Sequence, residues 1–90
     1  MEVSFSSSFK KAFKKKSRLN PVFEENFWIS LQIFINEPFH PSLKTHKLSG
    51  KLNPLWSFST DYSNRVVFYF TEDNPKRAVL VDIDTHEEVY

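Results

Sequence analysis

The side chains best suited to chemistry in this 90-residue chain are His46, Arg65, His86 and Tyr90, with Lys44 close to the first. Cleavage of an RNA phosphodiester needs a base for the 2′-OH proton, a cation on the phosphate and an acid for the leaving 5′-oxygen. Histidine suits proton transfer because its unperturbed pKa lies near ~6.5. Arginine suits the phosphate because its planar fork is always charged and can bind two oxygens. A structural reading stands beside each. His46 and His86 could cap turns, Arg65 could pair with Asp61 or Asp84, and Tyr90 could pack its ring on a sheet. His40, between Phe39 and Pro41, reads as a loop-packing residue.

Other chemistries are poorly served. The three histidines match no compact zinc spacing and no cysteine supplements them, so no metal or cofactor is expected. There is no GxSxG elbow, and a single glycine argues against phosphate-binding Gly-rich loops. The absence of cysteine excludes disulfides. The N-terminus shows no signal-peptide pattern and no segment is apolar enough to span a bilayer, so a cytoplasmic protein is expected.

Ninety residues, 40% hydrophobic and 17% aromatic, suffice for one domain spanning 1–90 with a modest core. Charge is unevenly spread: residues 1–20 hold six cations and one acid, residues 71–90 six acids and two cations. Such polarity serves an anionic partner or reflects two ordinary solvated faces.

The elements that must position the reactive groups follow from periodicity. Val3 and Phe5 suggest a short first strand. Serines at 6–8 offer helix N-caps. Phe9, Ala12 and Phe13 define the inner face of a helix whose outer face carries Lys10, Lys11, Lys14 and Lys15. Asn20-Pro21 starts a second helix, with a hairpin turn expected at 17–20. Phe23, Phe27, Leu31 and Phe34 or Ile35 form its apolar stripe, widened by Trp28 and Ile29, and it stops before Pro38. Pro38 and Pro41 bracket a loop, and the segment 43–50 has Leu43 and Leu48 as its apolar anchors, with no strand expected there. Strands are expected at 55–60, 65–70 and 78–83, the second central because both its faces are apolar. Val79, Val81 and Ile83 should share one side of the third. The fold class expected is α+β: a short N-terminal strand, a two-helix hairpin on one face, then a three-stranded antiparallel meander.

Three stretches carry a family resemblance over essentially the whole chain. They are His46-Lys47-Leu48-Ser49-Gly50 followed by Trp56-Ser57, the strand Arg65-Val66-Val67-Phe68, and the ending Thr85-His86 with Val89-Tyr90. Together they resemble the RelE/ParE superfamily of type II toxin–antitoxin toxins, closest to its RelE, YoeB and YafQ messenger-RNA interferase branches. The resemblance implies a RelE-like fold and a metal-independent endoribonuclease, ribosome-dependent, with messenger RNA, ribosomal RNA and a cognate antitoxin as partners. By position it implies a catalytic set of His46, Arg65, His86 and Tyr90. Lys10, Lys11, Lys14, Lys15, Lys44, Lys47 and Lys51 would then contact RNA. The chain departs from the YafQ pattern at Thr60 and Asn64, where that branch has histidine and aspartate. It departs from YoeB in lacking an acid between Pro38 and Leu48, and from RelE in its acidic C-terminal residues. The alternatives within the superfamily are a ParE-like inhibitor of DNA gyrase that cuts nothing, and an attenuated orphan toxin.

Overall fold

The computed structural model describes residues 1–49 and 54–85. Strand β1 (Glu2–Phe5) leads into helix α1 (Ser7–Leu19), which Ser6 caps by accepting from the Phe9 amide at 3.1 Å. Helix α2 (Pro21–Asn36) follows at once. The hairpin turn expected at 17–20 shrinks to Asn20. Its backbone N–H closes α1 on the Lys16 carbonyl, and its side chain caps α2 through the Phe23 amide. One residue serves two helix ends because Pro21, which lacks an N–H, takes the first position of α2.

After a 3-10 turn at Pro41–Leu43 come β2 (His46–Ser49), β3 (Leu55–Ser59), β4 (Asn64–Phe70) and β5 (Arg77–Thr85). The sheet order is β1-β5-β4-β3-β2. Strands β2 to β5 run antiparallel, and β1 joins β5 in parallel. The α+β class is as expected and β4 is central, but the meander has a fourth strand. The four residues 46–49 are too few to show a period, so the sequence marks no strand there; pairing His46 with Ser57 and Lys47 with Trp56 makes it one.

The core lies between the helices and one face of the sheet. Phe23, Phe27, Leu31 and Phe34 of α2 are buried with Phe58, Val66 and Phe68. Phe34 stacks on Phe58 at 4.6 Å and meets Phe68 edge-on at 5.0 Å. Trp28 packs on Phe13 and Phe27, whereas Ile29 faces solvent and does not widen the core stripe. In β5 the buried residues are Ala78 and Leu80, not Val79 and Val81. A bulge opposite Val67/Phe68 leaves Val81 without a partner. It also returns Ile83, paired with Val66, to the core side. An inserted residue reverses the alternation, which a period-2 pattern cannot foresee.

Candidate functional site

The register builds two rows of side chains on the sheet face away from the helices. Core residues Phe58 and Val66 pair across β3 and β4, so their neighbours point the other way. One row is Ser59, Arg65 and Asp84; the other is His46, Ser57, Val67 and Asp82. His46 and Arg65 thus share a face, two strands and two residues apart, about 12 Å between Cα atoms from strand spacing. That gap suits a bound group between two long side chains rather than a direct contact.

His46 opens β2, half-buried, and its Nδ1–H donates to the Lys44 carbonyl at 2.9 Å. A carbonyl can only accept, so the neutral ring carries its proton on Nδ1 and its lone pair on Nε2. Lys44 adopts a left-handed backbone (φ 51°) as the C-cap of the 3-10 turn, which turns its carbonyl toward His46. The turn's N-cap is His40, whose Nδ1 accepts from the Ser42 amide at 3.1 Å. His40 is therefore structural, as its sequence neighbours suggested.

Arg65 is only 5% exposed. Its Nη1 donates to the carbonyls of Asp61, Tyr62 and Asn64 at 3.1, 3.3 and 3.2 Å. Arg65 thus holds the β3–β4 turn while lying on the face of His46. Asp84 sits opposite it in the ladder, and the Asp61 contact is to the carbonyl. The Asp61 carboxylate instead organises the turn from within. It accepts from the Ser63 and Asn64 amides at 2.9 and 3.0 Å and from the Asn64 side chain on both oxygens. Burial is the largest influence and pushes the Asp61 carboxyl up. The donors of Asn64 and Ser63, with the Asn26 side chain, together outweigh it and hold the group below the usual carboxylate value.

Beside the turn lies a cleft of about 420 Å³. It lies where β2 begins opposite Ser57, so that among the described residues no strand runs beyond the end of β3 and the 3-10 turn passes there instead. Ser30 and Ile33 of α2 and Leu43 line one side; Ser59, Thr60, Asp61, Tyr62 and Arg65 line the other, with Lys44 between. Ser30 ties the two sides by donating to the Thr60 carbonyl at 3.3 Å. His46 is not among the lining residues.

The remaining candidates separate. Lys10, Lys11, Lys14 and Lys15 are exposed on the outer face of α1, which packs on β5, toward the opposite edge of the sheet from β2. Lys47 is exposed and, by strand alternation, points opposite to His46. Lys51, His86 and Tyr90 lie outside the described residues. Among the described residues no three His, Asp or Glu side chains cluster as metal ligands, and no helix is long and apolar enough to cross a membrane. Ser59, Tyr62 and the Asp61–Asn64 pairing were not singled out from sequence. The one signal for them was Asp61 two and three residues before Ser63 and Asn64, the spacing of an Asx turn.

No family model matches the sequence, and no curated protein matches it. Solved structures do. A YoeB/ParE toxin from Agrobacterium tumefaciens superposes with a TM-score of 0.75 at 17% identity, covering 96% of this chain and 99% of that one. YafQ from E. coli BL21(DE3) gives 0.73 at 13% identity, over 99% and 97%. The E. coli DinJ–YafQ toxin–antitoxin complex gives 0.68 at 14% identity, over 99% and 96%. At these identities the likeness is one of fold.

Proposed function

Starting from a chain with the fold of YoeB and YafQ toxins, we propose that it is the toxin of a type II toxin–antitoxin pair that cleaves messenger RNA on the ribosome without a metal. The observation that carries this reading is the placement of His46 and Arg65 on one sheet face. His46 takes the 2′-OH proton. The freed oxygen attacks phosphorus, giving a cyclic phosphate as the P–O5′ bond breaks. Arg65 stabilises the phosphate charge, His86 protonates the 5′-oxygen, and Tyr90 orients a base or hydroxyl. Lys10, Lys11, Lys14, Lys15, Lys44, Lys47 and Lys51 draw in ribosomal and messenger RNA. An antitoxin covers the protein when it is silent; the DinJ–YafQ complex supports this partner. The test is a translating extract with purified protein. Message cut at the A-site codon by the wild type, and uncut by Arg65→Ala and His86→Ala, is expected; uncut wild-type message ends the nuclease reading.

A second reading rests on the burial of Arg65 and the use of its Nη1 on three turn carbonyls. If that is the whole task of the residue, the same fold serves a non-catalytic inhibitor of DNA gyrase. Loss of supercoiling with intact message selects it.

A further inference from the structure

Arg65 is aimed by a turn, and the turn is closed by a carboxylate that the cleavage scheme does not use. Residues 60–63 join β3 to β4. Arg65 Nη1 donates to the carbonyls of Asp61, Tyr62 and Asn64. Carbonyls of an extended chain alternate in direction, so three from within four residues reach one nitrogen only when the chain curls around it.

Asp61 supplies the curl. Its Oδ1 accepts from the Ser63 and Asn64 amides at 2.9 and 3.0 Å, the bonds of an Asx turn. The Asn64 side chain donates to both carboxylate oxygens at 3.0 and 3.1 Å, and the Asn64 carbonyl is one of the three that hold Arg65. Asn26 of α2 donates to the same carboxylate. Ser30, one helical turn further on, donates to the Thr60 carbonyl at 3.3 Å. The turn is thereby fixed to helix α2 as well as to itself. Burial pushes the Asp61 carboxyl up, yet the donors of Asn64, Ser63 and Asn26 hold it below the usual carboxylate value. Both oxygens are therefore acceptors at neutral pH.

A guanidinium grips two phosphate oxygens only along its own plane, so its direction matters as much as its charge. Resting on the nuclease reading above, we propose that Asp61 is a positioning residue: by closing the β3–β4 turn, its carboxylate fixes the direction from which Arg65 meets the phosphate. Removing the carboxylate leaves the cation in place and releases its aim. Donors fixed in advance of the reaction are what make electrostatic stabilisation effective.

Nitrogen-15 relaxation of the Arg65 Nε–H group in the full chain tests this without any substrate. The wild type should show the order of rigid backbone, about 0.85, and Asp61→Ala should fall below about 0.6. Unchanged amide shifts in α2 and β5 would show that the variant folds. Asp61→Asn retains an oxygen for the two amides and should stay near the wild type. In the translating extract, Asp61→Ala should cut message about a hundredfold more slowly, as expected for a misplacement on the order of 1 Å, and Asp61→Asn should recover most of that loss. Should Asp61→Ala not fold, Asn64→Ala takes its place, since it removes both side-chain bonds to the carboxylate and leaves the two amides. An Arg65 signal as ordered as the wild type's, in whichever variant is used, overturns the inference. So does undiminished cleavage by a folded Asp61→Ala, and in that case the nuclease reading survives. Release of Arg65 by Asp61→Ala, in a protein whose wild type cuts no message, upholds the positioning and removes the nuclease.

Discussion

Strands β3 and β4 present two different surfaces from one backbone. Toward the helices they show Phe58, Val66 and Phe68, all buried against α2. On the reverse they show Ser57, Ser59 and Arg65, equally withdrawn from solvent but polar. The first surface gains from burial in proportion to apolar area. The second must spend hydrogen bonds to offset desolvation, and it does so unevenly: Arg65 Nη1 reaches three carbonyls, while Ser59 Oγ and Asn64 Oδ1 have no partner among the described residues. Fold stability alone would favour apolar residues there, so the polar face is where selection for something other than stability is visible.

The largest effect should come from the helix side. Phe34→Ala removes a ring packed on Phe58 and Phe68 and should cost about 3–5 kcal/mol in denaturant unfolding. A loss below about 1 kcal/mol would mean that the two faces do not differ in the way described. Arg65→Ala strips a charged donor from three turn carbonyls and should cost about 1.5–3 kcal/mol while abolishing message cleavage. Unchanged stability with lost cleavage would assign Arg65 to substrate alone.

A smaller effect concerns acid. The Asp61 carboxyl is lowered in the folded chain, so its contribution is complete above the unfolded value, near ~3.9, and is lost as pH falls through the folded value. Urea midpoints of the wild type should therefore fall more steeply below about pH 4 than those of Asp61→Asn. Parallel curves would remove the turn network from the polar side of the comparison. The smallest effect belongs to α1. Lys10→Ala with Lys14→Ala should change stability by less than about 0.5 kcal/mol. The pair should nonetheless lower the salt dependence of RNA binding by about 0.7 per lysine on single strands. An unchanged slope would make this helix face an ordinary solvated surface.

Much of the architecture was legible. Asn20-Pro21 marks the start of α2, and the Phe23, Phe27, Leu31 and Phe34 spacing marks its buried face, because steps of three and four residues return to one side only in a helix. The two apolar faces of 65–70 located the central strand. Short or interrupted patterns hid the rest. Four residues of β2 became a strand only by pairing with β3, and the bulge at Val81 reversed the faces of β5. Arg65 was legible as a cation worth noticing, but its three carbonyl partners were not, since they depend on how the 61–64 turn closes.

Local order along the chain thus determined helices, strands and the types of group on hand for chemistry, through periodicities and caps that act over a few residues. Tertiary structure alone decided which groups meet. His46 and Arg65 are nineteen positions apart in sequence and reach one face only through the β2–β3 and β3–β4 registers. The cleft with Ser59 and Tyr62 forms where β2 begins opposite Ser57, so that the 3-10 turn passes the end of β3. Register is a property of pairs of strands, and no single strand contains it.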